Sequence, residues 1–162
     1  MVKKCLPSMS LTNDYLVCKN QNAVDIIISI KPKYVEKILN KEKLYEFRKV
    51  IFKEKNIRNI FIYASSPIKK IVAICEFERV IEGTPQKIWE ICREYAGITE
   101  EEFFSYFSNR EKAYSIKLKN IKKLHNYFDP YQYLENFRPP QSFMYADIKF
   151  ILSFKQSSYV LH

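Results

Sequence analysis

Residues 24–52 read VDIIISIKPKYVEKILNKEKLYEFRKVIF, and this stretch decides the fold. Val24–Ile30 is a run rich in β-branched residues, the composition of a buried strand. Pro32 then opens a helix at a position where its missing N–H costs little. Tyr34, Val35, Ile38 and Leu39 recur at helical spacing and give that helix one apolar face, and Asn40 and Lys41 end it. Leu44–Phe52 returns to strand, with Tyr45 and Phe47 on one face and Glu46 and Arg48 on the other. Once the two aromatics are committed to the core, the charged pair shares the opposite face, about 6–7 Å apart along the strand. Lys43 stands at the strand entry, where a turn sets its direction.

Working outward, residues 1–22 lack periodicity and read as an N-terminal extension. After a polar connection, Ile60–Ala64 is a third strand closed by Ser65-Ser66-Pro67, and Lys70–Val80 is a fourth. Thr84-Pro85 is a helix start with Thr as cap and Pro at the first helical position. Ile88, Trp89, Ile91, Cys92 and Tyr95 give the buried stripe of that helix, and Gly97 stops it. Thr99 followed three residues later by Glu102 spells a capping box for a further helix. Ala113–Leu118 is a fifth strand. From Asp129 the chain turns irregular, with short closing strands expected at Phe143–Tyr145 and Phe150–Phe154. Consecutive strands with few crossovers predict an α+β fold: a small mixed or antiparallel barrel over residues 23–120 with flanking helices, and residues 121–162 packing on it.

Composition narrows the chemistry. With 162 residues and 47% hydrophobic content, the chain is long enough for one domain with a real core. Its 2 glycines exclude a Gly-rich phosphate loop or a dinucleotide fingerprint. Its 4 cysteines show no paired spacing, so neither zinc nor another cofactor is expected, and free thiols suggest a reducing, cytoplasmic setting. No run of apolar residues is long enough for a membrane span. The net charge of +9 favours polyanions such as RNA, bound with a salt-dependent affinity. A basic, aromatic segment, from Tyr127 through Tyr131, Tyr133 and Phe137 to Arg138, suits either base stacking or packing.

The stretch from Ile30 through Leu39 to Lys43-x-x-Glu46-x-Arg48 resembles the start of an ASCH domain, a branch of the PUA-like superfamily. The family signature is Gly-x-Lys-x-x-Glu-x-Arg; Lys43, Glu46 and Arg48 match it, while Lys41 stands where the family has glycine. The resemblance continues through Ile62–Val72 and ends near Ala113–Ile116. It implies a β-barrel with a cleft beside the helix-to-strand junction, and a link to RNA metabolism. Some members are amidohydrolases acting on N-acetylated cytidine and others are ribonucleases. In the amidohydrolase branch the motif lysine is catalytic, a threonine takes the place of Glu46, and a further glutamate lies on the later helix. Lys43 carries over directly, the threonine does not, and the helix acid is either Glu101 or Glu102.

Three functions are therefore expected in order. The first is binding of RNA or a modified nucleotide through Lys43, Glu46, Arg48, Tyr63, Ser65, Ser66, Lys69, Lys112 and Tyr114. The second is metal-independent hydrolysis of RNA or acylated cytidine, with Lys43 and Glu46 as the catalytic pair. The third is a protein-interaction regulator that grips a partner through its terminal extensions. A carboxylate beside Lys43 raises the lysine's pKa, which favours recognition over lysine-base chemistry.

Overall fold

The computed structural model describes residues 22–159, so the N-terminal extension lies, but for its last residue, outside the described residues. The strands β1 (Val24–Ile30), β2 (Tyr45–Arg48), β3 (Ile57–Ala64), β4 (Lys70–Gly83), β5 (Ala113–Phe128) and β6 (Phe143–Tyr145) form one mixed sheet. Their order is β2-β5-β4-β3-β1-β6. Only β1 and β3 pair in parallel, which requires the crossover that helix α1 (Pro32–Leu39) helps to supply. The remaining pairs are antiparallel.

The sheet curls without closing its backbone ladder, giving a half-barrel rather than a full barrel. Its two edges meet through side chains. Arg48, on edge strand β2, donates from its NH2 group to the Ser29 carbonyl of β1 at 2.9 Å and from NH1 to Ser142 Oγ at 3.4 Å. Beyond β2, the Phe52 ring meets Phe143 of the opposite edge at 5.5 Å, edge to face.

Strand β1 explains why its sequence is a continuous apolar run. Ile26, Ile28 and Ile30 face the inside of the curl, where Val35 and Ile38 of α1 and residues of β3, β4 and β5 complete a core. Ile27 points to the other face, with Phe61, Tyr63 and Ile71, under helix α5 (Ile148–Tyr159). A strand covered on both faces does not alternate. A third cluster places Phe47 against α2 (Pro85–Cys92) and α3 (Glu100–Tyr106), through Ile88, Trp89 and Phe103.

Several expectations are corrected. Phe150–Phe154 is helical, not a strand: at this spacing both rings lie on one face of α5, each 5.1 Å from Phe61. Ile91 and Tyr95 are exposed: the buried face of α2 is Ile88, Trp89 and Cys92, which leaves Ile91 outside it, and the chain then tightens into a 3-10 turn over Arg93–Tyr95 that carries Tyr95 out of the stripe. The second strand is shorter than expected. The fourth and fifth are longer, and β5 runs unbroken past residue 120 to Phe128. The capping box of α3 forms in both directions, Thr99 Oγ1 accepting from Glu102 N and Glu102 Oε2 from Thr99 N.

Candidate ligand-binding cleft

The α1–β2 junction is where the chain sets its charged residues. The turn between them needs a left-handed residue, and Lys41 supplies it with φ of 63°, in the position that glycine holds in the family signature. That conformation costs a lysine about 1 kcal/mol but leaves the following residues in register. Lys43 then forms an isolated bridge with Ala96, Leu44 N donates to the Tyr95 carbonyl, and β2 pairs with β5 from Tyr45 to Arg48.

Lys43, Glu46 and Arg48 converge and are buried, at 2%, 8% and 7% exposure. The opposite-face alternation holds: Tyr45 and Phe47 both pack with the α2–α3 cluster, while Glu46 lies between the two cations. Its Oε1 is 2.9 Å from Arg48 NH2 and its Oε2 is 3.7 Å from Lys43 Nζ. The lysine ammonium donates to the Ala96 carbonyl at 2.8 Å and sits 4.5 Å from the Phe47 ring centroid. Gly97, at φ +64°, lets its backbone lie flat against the lysine stem; a β-carbon there would overlap Lys43 Cβ. Burial holds the Lys43 ammonium below its ordinary value of 10.5; Glu46 pulls it back up, and Arg48 reinforces the depression.

The triad opens into a cavity of about 630 Å³, in the range of small-ligand sites. Tyr34, Ile98, Glu102 and Tyr106 frame the triad end. The lining continues with Tyr63 of β3 and with Ser65, Ser66 and Lys69 from the β3–β4 turn. Tyr131 from the short helix α4 (Pro130–Tyr133) and the segment Pro139-Pro140-Gln141 complete the wall. Seven of the sequence-selected residues thus share one concavity: Lys43, Glu46, Arg48, Tyr63, Ser65, Ser66 and Lys69. Lys112 and Tyr114 do not join them. Lys112 pairs with Glu82 at 2.6 Å on the exposed surface, and Tyr114 lies at the start of β5 opposite Arg48 and Glu82.

Of the two candidate helix acids, Glu102 lines the cavity and Glu101 does not. Its carboxylate is engaged by Lys33 at 3.1 Å and by its own capping box; the lysine first, then the Thr99 N–H, hold it below the usual carboxylate range. Sequence reasoning missed Tyr34 and Tyr106 as cavity residues, having placed Tyr34 on an apolar helix face and assigned Tyr106 no role. Their aromatic character was the only available signal. Pro139 and Pro140, which hold the chain to extended backbone, also line the cavity. Among the described residues, no three His, Cys, Asp or Glu side chains gather as metal ligands.

Comparison with known proteins agrees with this geometry. Residues 23–135 match the model of the family described as Domain of unknown function (DUF365). A protein of Zymomonas mobilis named ASCH domain-containing ribonuclease is 28% identical over 120 residues, spanning 73% of this chain and 81% of that protein. A Ureaplasma parvum protein named large ribosomal subunit protein uL22 is 29% identical over 121 residues, spanning 74% of this chain but only 38% of that protein. The crystal structure of the Zymomonas mobilis ASCH protein superposes with a TM-score of 0.74 at 25% identity, covering 82% of this chain and 94% of that one. With its half-barrel, its signature residues at the α1–β2 junction and a family match over most of its length, the chain belongs to the DUF365 family and carries an ASCH domain of the PUA-like kind.

Proposed function

We propose that this protein binds RNA in the cleft and that Lys43, Glu46 and Arg48 form its recognition centre. The observation that carries this reading is convergence: the three signature residues are buried together at the floor of a cavity whose wall includes Tyr63 and Ser65. Buried charges are costly unless they are paired, and these are paired to one another and to backbone carbonyls. Lys31 and Lys69 add further cations to the cavity lining. Because the triad lies at the cavity floor, a nucleotide must be unpaired to reach it. The net charge of +9 supports a polyanionic partner, as does the occurrence of a similar segment within a protein named for the ribosome.

The test is fluorescence anisotropy with a labelled oligoribonucleotide across a salt series. Neutralising two phosphates of a single strand gives a roughly sevenfold loss of affinity between about 50 and 200 mM salt. Absence of binding at the lowest salt sinks the proposal.

A second reading, favoured by the relative named as a ribonuclease, is that the same cleft cleaves RNA. The ribose 2′-hydroxyl attacks the adjacent phosphorus and the P–O5′ bond breaks, leaving a 2′,3′-cyclic phosphate and a 5′-hydroxyl. Glu46 takes the hydroxyl proton, Lys43 donates one to the leaving oxygen, and Arg48 faces the charge on phosphorus. Mass spectrometry of RNA and of acylated cytidine after incubation separates the outcomes. Cyclic phosphate ends support cleavage, deacylated cytidine supports the amidohydrolase branch, and unchanged material leaves recognition alone.

A further inference from the structure

We infer that the cleft holds two neighbouring nucleotides, and that its second subsite is a base-stacking shelf built on Tyr131. This rests on the reading of the cleft as an RNA site. The cavity lining is not limited to the triad: it also includes Tyr63, Ser65, Ser66, Lys69 and Tyr131, none of them acidic. This part of the lining combines the two features a nucleotide requires. Tyr131 is 48% exposed while its hydroxyl is held by protein.

The ring is also fixed. Its hydroxyl lies 3.1 Å from the buried Tyr63 hydroxyl, and Phe137 meets it edge-on at 5.3 Å and 90°, so one aromatic edge is braced while the ring stays open to solvent. The Asp129 carboxylate caps the helix beneath it by accepting from Tyr131 N at 3.0 Å. A pre-set, exposed ring is the element on which an unpaired base stacks irrespective of its identity. The phosphate joining the two nucleotides has its cation nearby: Lys69 is exposed in the turn after Ser65 and Ser66, and all three line the same cavity.

The shelf is also held relative to the triad. Arg48 donates to Ser142 Oγ, and the residues just before Ser142, Pro139-Pro140-Gln141, form the wall that runs back toward Tyr131. The two prolines restrict that wall to extended backbone.

The experiment compares wild type with Tyr131→Ala and Tyr131→Phe. The probes are a labelled pentaribonucleotide, the same oligomer with one abasic position, and a nucleoside monophosphate. Tyr131→Ala is expected to weaken pentanucleotide binding roughly 5- to 100-fold, with Tyr131→Phe restoring most of it. The monophosphate, which fills the triad end alone, binds wild type and Tyr131→Ala alike. The abasic oligomer binds wild type more weakly than the intact one, and the loss is absent in Tyr131→Ala. Pentanucleotide affinity unchanged by Tyr131→Ala overturns the shelf, as does an equal loss for the monophosphate, while leaving the RNA reading intact. Wild type that binds no probe overturns both.

Discussion

At Lys43, burial and charge pull against each other. Its ammonium is desolvated, depressed below 10.5, and offset by Glu46 and the Ala96 carbonyl. Between its folded value and 10.5 the unfolded chain binds more protons at this site, so its contribution to stability rises with pH through that window. Thermal melts of wild type and Lys43→Met from about pH 7 to pH 10 are expected to show wild type gaining on the variant as pH rises. A constant or shrinking difference contradicts the depressed lysine. Gly97 carries a second prediction at this scale. Gly97→Ala meets both the positive φ and the Lys43 stem, and is expected to cost about 1–3 kcal/mol in urea unfolding together with weaker RNA binding. Stability equal to wild type sinks it. Of the site, the signature triad was legible in sequence because strand alternation and position joined to fix it. Lys112 and Tyr114 stand apart from it because no residue of β5, or of the turn before it, lines the cleft.

Among the elements, α3 and the β1–β3 pair carry the scaffold. The capping box of α3 also aims Glu102 at the cleft, so Thr99→Ala is expected to lower stability by about 1 kcal/mol and to alter the rim. Calorimetry reads the first effect, and an unchanged transition temperature refutes it. At the start of β1, buried Asp25 accepts from Arg58 Nε at 3.0 Å and NH2 at 2.7 Å, and from the Asn59 backbone and side chain. Asp25→Ala strands those donors and is expected to cost about 2–4 kcal/mol by chemical denaturation, because Arg58 is itself partly exposed and rehydrates. A cost under about 0.5 kcal/mol removes Asp25 from the scaffold. Elements with caps, an opening proline or β-branched runs were readable: α1, the α2 and α3 starts, and β1. The C-terminal Phe150–Phe154 segment was not, since two phenylalanines four apart among apolar neighbours fit either period, and only the presence of Phe61 beneath them chose helix.

For the whole molecule, the sheet's curl makes the cleft. Arg48 belongs to one edge yet donates to the carbonyl of Ser29 near the other, so a residue of the proposed recognition centre also holds the half-barrel's edges together. Strand order and this edge-to-edge contact were not legible in sequence, because they depend on contacts between residues 19 and 94 positions apart. The same distance hid the role of Pro139–Gln141, which closes the cleft only once β6 has paired with β1. The basic residues offer RNA two places to go: the cleft, and the exposed face of β5 around Lys119 and Lys123. Ultraviolet cross-linking with an oligoribonucleotide carrying 4-thiouridine, followed by mass spectrometry of peptides, separates them. Adducts are expected on cleft residues, Tyr34, Tyr106 and Tyr131 foremost, and adducts confined to the β5 face around Lys119 and Lys123 would contradict the cleft as the RNA site.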